Sequence, residues 1–217
     1  MKRLFLNFEV LPDIEGARAL YGLSSTLSDK DTGKVLFHHH VQQEGRDARF
    51  LSPWQARLAI VSMLSMHDED VKLTSFQMEA DDEKQLLETI SRYLCEHDMT
   101  FCWDEGRGIN SLLHVRSMIL GVQLPDRHVR TVERRMRIQP GSVSLATVAR
   151  RFGIRAENMP GDEPTWKQVL GDGESTLLER CRINLVASAM LGLRHLYTTA
   201  EIDQDLFNTL QYRCTEL

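Results

Sequence analysis

This sequence of 217 residues has few cysteines, no excess of basic charge and no long apolar run. Its four cysteines lack the close spacing of metal-binding pairs and are too few for a disulfide framework in a chain of this size. We therefore expect reduced thiols and a cytoplasmic protein. Crossing a bilayer takes about 20 consecutive apolar residues, and the apolar N-terminal stretch is already interrupted by Asn7 and Glu9. The sequence thus predicts neither a membrane span nor a signal peptide.

The charge balance limits the class of protein. Lysine and arginine total 26 against 31 aspartates and glutamates, a formal net charge of −5. This excludes a strongly basic nucleic-acid coat protein but leaves room for a local basic patch. With 42% hydrophobic and 26% charged residues, the composition is that of an ordinary globular protein. The length suits one α/β domain over residues 1–217, in which a C-terminal helix over residues 200–213 could form an appendage.

Three consecutive histidines, His38 to His40, raise the question of a metal site. Neighbours on a strand point to opposite faces, and no cysteine or second histidine cluster accompanies them in the sequence. We interpret them as a solvated strand end or loop.

The first half of the chain favours strands. Residues 4–10 are apolar enough for a buried central strand, and residues 16–49 look irregular, punctuated by glycines. Residues 58–64 and 71–76 then predict a hairpin with an acidic turn at residues 67–70.

Helices dominate the remainder. A helix capped by Asp81 or Asp82 precedes a short strand over residues 99–103 and a helix over residues 109–120 that Gly121 ends. The final part of the chain is predicted to contain a helix at 144–152, a loop at 160–164, a long helix at 174–197 and a helix at 200–213 capped by Thr199. The order of strands and helices predicts an α/β fold, a mixed sheet with helices packed on it.

Three short segments carry the functional signal. They read Asn7-Phe8-Glu9, followed by Pro12-Asp13; Glu105-Gly106-Arg107-Gly108-Ile109-Asn110; and Arg180-Cys181-Arg182-Ile183-Asn184. In order and spacing they resemble the motifs of the DEDD superfamily, specifically the predicted 3′-to-5′ exonucleases related to the proofreading domain of family-B DNA polymerases. The resemblance spans residues 4–197 and implies a ribonuclease-H-like mixed sheet flanked by helices.

The acidic positions that the resemblance implies are mostly altered. Of the four, only Glu9 keeps a carboxylate, while Asn7, Asn110 and Asn184 each stand where the family has aspartate. An asparagine retains a carbonyl oxygen but no charge, and two divalent ions need several carboxylates to offset their mutual repulsion. We therefore expect a degenerate catalytic centre without a metal cofactor. Mg²⁺ or Mn²⁺ would be needed only by an active nuclease with unusual ligands.

Arg180 stands where the family has a tyrosine, four residues before Asn184 on the same helical face. A guanidinium there is a permanent cation where the metal ions would lie. We predict that Arg180 pairs with Glu9, through N–O contacts within hydrogen-bond reach.

Other interpretations of the asparagines stay open. They could have ordinary roles, with Asn7 at a strand end, Asn110 capping a helix and Asn184 on a partly exposed helix face. They could also have been introduced to trap a substrate complex. Nearby acids could replace the missing ligands, and the candidates are Asp13, Asp104, Glu105 and Glu179.

Residues 127–137 are rich in arginine and predict a phosphate-binding face. Trp103 and Arg107 could stack on an unpaired base at the entrance of the cleft. The predicted nucleic-acid contacts are therefore Trp103, Arg107, Arg130, Arg134, Arg135 and Arg137. Alternatively, the arginines form a solvated face that pairs with the acidic residues 68–70 and 81–83, or with an acidic partner protein.

Together these features predict a non-catalytic protein that binds single-stranded DNA or RNA, or serves as a scaffold or regulatory subunit of a nucleic-acid-handling assembly. One alternative is an active metal-dependent 3′-to-5′ exonuclease. The other is a module that binds a partner protein.

Overall fold

A five-stranded mixed sheet forms the centre of the fold. The computed structural model describes residues 1–45, 48–77, 82–126, 129–172 and 175–217. In that part of the chain the strands are β1 (Lys2–Pro12), β2 (Ala56–His67), β3 (Asp70–Gln77), β4 (Met99–Cys102) and β5 (Arg130–Thr131). Their order is β3-β2-β1-β4-β5, with β2 antiparallel to both β1 and β3, and β4 parallel to both β1 and β5. This confirms the predicted mixed sheet.

Helices lie between the strands in chain order and make up the chain after β5. They are α1 (Ile14–Tyr21), α2 (Asp29–Glu44), α3 (Glu83–Glu96), α4 (Ile109–Leu120), α5 (Val132–Arg135), α6 (Leu145–Arg151), α7 (Asp162–Asp172), α8 (Ser175–Thr198) and α9 (Gln204–Thr215).

The side chains of β1 alternate between the two faces of the sheet, as the period of a strand requires. Leu4, Leu6 and Phe8 pack in the apolar cluster that contains residues of α2, α3 and α4. Phe5 packs in the opposite cluster, with residues of α6, α8 and α9. Alternation therefore assigns Asn7 and Glu9, like Phe5, to the face that α8 covers.

Several predicted elements are confirmed. The hairpin is β2–β3, residues 99–103 contain β4, and α4 has the predicted bounds, with Gly121 in the left-handed conformation at its C-terminus. Asp82 caps α3 by accepting a hydrogen bond from the amide of Gln85. Helices α6 and α8 also lie where predicted, although Asp81 and Glu174 lie outside the described residues.

The irregular region predicted at residues 16–49 is wrong, since it contains most of α1 and all of α2. Asp13 and Ser28 cap these helices through hydrogen bonds to the amides of Gly16 and Asp31. Gly33 lies inside α2 because it packs against Trp166, whose Nε1 atom would be 2.6 Å from an added Cβ.

The three histidines lie on α2 and not on a strand end or loop. His40 is buried and its Nδ1 lies 3.0 Å from Oε1 of Gln55, while His39 stacks on Tyr21. Their role here is packing and local hydrogen bonding.

Two further boundaries differ from the prediction. Residues 160–164 are not wholly a loop, because α7 begins at Asp162 and contains Pro164 in its first turn, where proline is favoured. Helix α9 begins at Gln204, capped by Asp203 and not by Thr199. The Thr199 hydroxyl instead donates to the carbonyl of His195.

All four cysteines are unpaired; Cys95 is exposed and the other three are buried. Among the described residues, no helix is both long and apolar enough to cross a membrane.

Candidate functional site

Glu9 and Arg180 form a buried, two-pronged ion pair between β1 and α8. Nε of Arg180 donates to Oε1 of Glu9, and a terminal nitrogen donates to Oε2, each at 2.8 Å. Glu9 is 1% exposed and Arg180 is 9% exposed. The same guanidinium also donates to the hydroxyl of Thr165 on α7, at 3.1 Å. The predicted pair is therefore confirmed, in the bidentate geometry that makes Arg–carboxylate contacts strong.

The positive charge of Arg180 is favoured by its surroundings. Burial, the largest single influence, would lower the pKa of the Arg180 guanidinium, but its hydrogen bonds to Glu9 and the negative charges nearby together outweigh burial, and the pKa is raised. Beside the pair, burial raises the pKa of the Cys181 thiol to about 12. Cys181 is therefore a protonated packing residue and not a nucleophile.

Asp162 brings a second buried carboxylate to the site at the start of α7. It is 1% exposed, and its Oδ2 accepts a hydrogen bond of 2.7 Å from the amide of Leu51. A terminal nitrogen of Arg107 lies 3.3 Å from Oδ1. Burial raises the pKa of the Asp162 carboxyl, and the charge of Glu9 contributes in the same direction.

Arg107 is held between this carboxylate and an aromatic ring. Its guanidinium carbon lies 4.7 Å from the centroid of the Phe50 ring, a favourable cation–π contact. Gly161, the residue before Asp162, lets the backbone of this segment pass close to that of Arg49. It has φ +103°, and a Cβ at this position would lie 2.6 Å from the carbonyl oxygen of Arg49.

Glu105 supplies a third buried carboxylate. Its Oε1 accepts a hydrogen bond of 2.6 Å from the amide of Leu145, and its Oε2 lies 3.9 Å from Arg49. Burial raises the pKa of the Glu105 carboxyl, and the nearby charge of Glu9 adds to the effect. We call Glu9, Arg180, Asp162, Arg107 and Glu105 the Glu9 cluster.

Glu133 holds the turn that presents Glu105 and Arg107. It is fully buried on α5 and accepts hydrogen bonds of 2.8–3.1 Å from the amides of Asp104 and Glu105. Glu105 itself has a left-handed backbone, with φ 49°. This strained conformation is sustained by the surrounding contacts and turns the side chain inward.

The three asparagines bind backbone groups. Asn7 donates to the carbonyl of Cys181 at 3.0 Å. Asn110 makes two bonds of 2.9 Å to the backbone of Val129. Asn184 accepts from the amide of Glu157 at 2.8 Å.

These positions correct the ordinary roles considered for all three asparagines. Asn7 lies in the middle of β1 and not at a strand end. Asn184 is fully buried and not partly exposed. Asn110 lies inside α4, whose first amides are capped instead by Asp104. Of the four positions at which acids were expected, only Glu9 bonds to Arg180. The amide side chains at the other three bind and stabilise the backbone of neighbouring segments.

The Glu9 cluster does not fit two divalent ions. Both oxygens of Glu9 are bound by Arg180, and Asp162 faces Arg107. Hard divalent ions need several free anionic oxygens. Within the described ranges, no group of three or more His, Cys, Asp or Glu side chains is arranged to hold a metal ion. The other acids considered as replacements are engaged elsewhere or exposed: Asp13 pairs with Arg116, Asp104 caps α4, and Glu179 is exposed.

Two of the predicted nucleic-acid contacts are wrong. Trp103 is 3% exposed and packs in the core beside Phe5 and Phe101, and Arg107 is buried against Asp162. Neither side chain is accessible to an unpaired base. The sequence could not reveal this, because a tryptophan after a short strand suits a core and a cleft equally well.

The remaining predicted arginines lie nearer the surface. Arg130, Arg134 and Arg137 are exposed, whereas Arg135 pairs with Glu201 and lies over the Phe101 ring. Arg135 does not pair with the acidic residues 68–70, as the alternative interpretation would have it, because its partner Glu201 lies on the loop before α9. Arg127 and His128 lie outside the described residues.

No protein-family model and no curated protein matches this sequence. Among solved structures, the chain is similar to the family B DNA polymerase from the hyperthermophilic archaeon Pyrobaculum calidifontis, with a TM-score of 0.57 and 12% sequence identity. The similarity covers 97% of this chain and 27% of the polymerase. At this identity it shows the fold alone. The chain has a ribonuclease-H-like α/β fold, a mixed sheet flanked by helices.

Proposed function

We propose that this protein is a catalytically degenerate 3′-to-5′ exonuclease-like protein. It binds nucleic acid without cutting it, or serves as a scaffold or regulatory subunit of a nucleic-acid-handling assembly. The observation that carries the proposal is the bidentate pair between Arg180 and Glu9. It occupies both oxygens of Glu9, the one carboxylate kept at the four positions where the resembling family has acids.

Electrostatics supports the loss of catalysis. A metal ion at Glu9 would have to displace a guanidinium that is hydrogen-bonded to both carboxylate oxygens and to Thr165. It would also meet the positive charge of Arg107 nearby, and repulsion between cations is strong where water is excluded. The arginines already neutralise the buried carboxylates, so the fold does not require metal ions to balance their charge.

Exposed arginines support nucleic-acid binding. Arg130, Arg134 and Arg137 are exposed on or beside β5 and α5. Cations of this kind contact phosphates irrespective of sequence, and they need no metal ion to do so.

The first test is a nuclease assay on single-stranded DNA and RNA labelled at one end, in Mg²⁺ or Mn²⁺. We expect no shortening from the 3′ end, and no rise in melting temperature when Mn²⁺ is added, because a ligand stabilises only the protein that binds it.

The control is the Glu9→Gln variant, checked for folding by circular dichroism. Shortening by the natural protein that disappears in this variant would refute the proposal and support an active nuclease. Equal shortening by both proteins would indicate a contaminating nuclease, and a repeat with the same metal ion after a further purification step would then have to show no activity.

A further inference from the structure

Two cavities meet along one side of α4. The first, which we call the cationic groove, has a volume of about 530 Å³ and is bordered by Arg130, Arg134 and Arg135. The second, the apolar hollow, has a volume of about 520 Å³. The two share three lining residues, Asn110, Ser111 and Val129, so they are adjoining parts of one surface. Neither is lined by a residue of the Glu9 cluster.

The cationic groove has positive charge that the fold does not use. Within the part of the chain that the structure describes, no carboxylate forms an ion pair with Arg130 or Arg134. Asp104, the acid that lines the groove, has both oxygens bound by the amides of Gly108 and Ile109. Its charge therefore caps α4, and the two arginines remain available to an anion.

The apolar hollow has different chemistry. Five apolar residues border it: Leu124 and Pro125 are half-buried and present apolar surface, whereas Leu94, Leu113 and Val129 are almost fully buried. His114 and Asp126 are exposed at its edge. A flat apolar group with hydrogen-bonding edges would fit these walls, and the Asp126 carboxylate would accept hydrogen bonds from N–H groups but repel a phosphate.

Two hydrogen bonds hold the boundary between the two cavities. The side chain of Asn110 both donates to and accepts from the backbone of Val129, each bond being 2.9 Å long. These bonds join α4 to the segment that leads into β5. A site held in place in this way loses less entropy when it binds a ligand.

We propose that this surface binds single-stranded nucleic acid, with a phosphate on Arg130 and Arg134 and the attached base in the apolar hollow. The inference rests on the proposed nucleic-acid role and adds its location and its preference for unpaired bases. A nucleotide combines an anion with a flat apolar group, which matches the two adjoining cavities. An acidic peptide would use the arginines but leave the hollow empty, and a paired base could not enter it.

The first experiment measures binding of a fluorescent single-stranded oligonucleotide by anisotropy, over a series of salt concentrations. The Arg130→Ala/Arg134→Ala double variant should bind at least about tenfold more weakly at low salt. Its salt dependence, the slope of log K against log salt concentration, should be shallower by about 0.7, the contribution of one phosphate contact on a single strand. The matched control is Arg150→Ala/Arg151→Ala, which removes the same charge from exposed positions of α6. This control should bind nearly as well as the natural protein.

The second experiment tests the hollow without altering the protein. An abasic oligonucleotide of the same length keeps the phosphates but lacks the bases. We expect it to bind about fivefold more weakly or worse, the loss that corresponds to a few tens of Å² of apolar base surface left in water. Equal binding of the abasic strand would overturn the assignment of the hollow to a base.

The outcomes separate this inference from the proposed function. If the natural protein binds the oligonucleotide and both double variants bind equally well, nucleic-acid binding survives but its location on this surface is wrong. If the natural protein does not bind at low salt, both the nucleic-acid role and this inference fail. Equally tight competition by polyglutamate would also overturn the inference and indicate an acidic protein partner.

Discussion

Two clusters of buried arginines and carboxylates are held together in different ways. Arg116, on α4, donates to both oxygens of Glu83 and, at 2.7 Å, to Asp13. Glu83 also accepts from the amide of Leu58, and Asp13 from that of Gly16. These three side chains, which we call the Arg116 cluster, join β1, β2, α3 and α4 through bonds that use every charged nitrogen and oxygen.

The Glu9 cluster is less completely paired. Nε and one terminal nitrogen of Arg107, Oδ1 of Asp162 and Oε2 of Glu105 are buried without a hydrogen bond to the described residues. Each such atom costs about 1–3 kcal/mol when nothing replaces its lost water. A cluster selected only for stability would resemble the Arg116 cluster. The Glu9 cluster instead retains buried charged atoms without hydrogen bonds, with arginines among the carboxylates.

Arg116→Ala should have the largest effect on stability. It leaves the buried carboxylate of Glu83 and the part-buried one of Asp13 without their cation, and breaking a buried pair typically costs about 3–5 kcal/mol. Unfolding in urea, followed by circular dichroism, measures the cost. Arg92→Ala, at an exposed position on α3, is the matched control and should change stability by less than about 0.5 kcal/mol. An equally small effect at Arg116 would mean that this cluster contributes little.

The next effect concerns Arg180. Arg180→Met should cost about 2–4 kcal/mol, because Glu9 is then buried without a partner. Replacing both residues, with Glu9→Gln/Arg180→Met, should recover more than half of that loss, since contacting residues are strongly coupled. The same urea experiment on the two single variants and the double variant gives the coupling. Additive losses would show that Glu9 and Arg180 do not act as a pair.

Arg107→Met should cost less, about 1–2 kcal/mol, since the arginine already lacks two hydrogen-bond partners and methionine retains the packing against Phe50. Asp162 keeps its bond from the amide of Leu51. A loss as large as that of Arg116→Ala would contradict the distinction between the two clusters.

The sequence could predict those helices and strands whose ends are determined by residues at the ends themselves. Helix α4 ends at a glycine with φ 65°, a conformation that other residues avoid. Helix α2 was missed because Gly33 and three histidines lie within it. A larger residue cannot replace Gly33 without meeting Trp166, which lies 133 positions later in the chain. No local pattern contains that contact.

The same distinction holds for the site. The pair of Glu9 and Arg180 was predictable because two motif segments on adjacent elements presented opposite charges in matching register. Asp162 was missed because Pro160 and Pro164 predicted a loop, whereas proline in the first turn begins α7. Because of that error, Asp162, the carboxylate that holds Arg107, was not among the predicted site residues.

The pH dependence of stability should distinguish the buried acids from exposed ones. Burial raises the pKa of the Asp162 carboxyl above its ordinary value. The folded protein therefore binds this proton more tightly than the unfolded chain, so the contribution of Asp162 to stability increases as pH falls through its folded pKa towards its unfolded pKa. Compared with Asp162→Asn, the natural protein should gain stability as the pH falls from neutral into the acidic range. Urea unfolding of both proteins at several pH values measures the difference.

Asp31 gives a control of opposite sign. Its hydrogen bond from Lys34 on α2 lowers the pKa of the carboxyl, so its contribution is present above the unfolded pKa and is lost as pH falls through the folded pKa. The natural protein should therefore lose stability relative to Asp31→Asn over the acidic range in which it gains relative to Asp162→Asn. If both comparisons change in the same direction, Asp162 does not titrate as a buried acid, and the contrast between the Glu9 cluster and an ordinary surface ion pair fails at this residue.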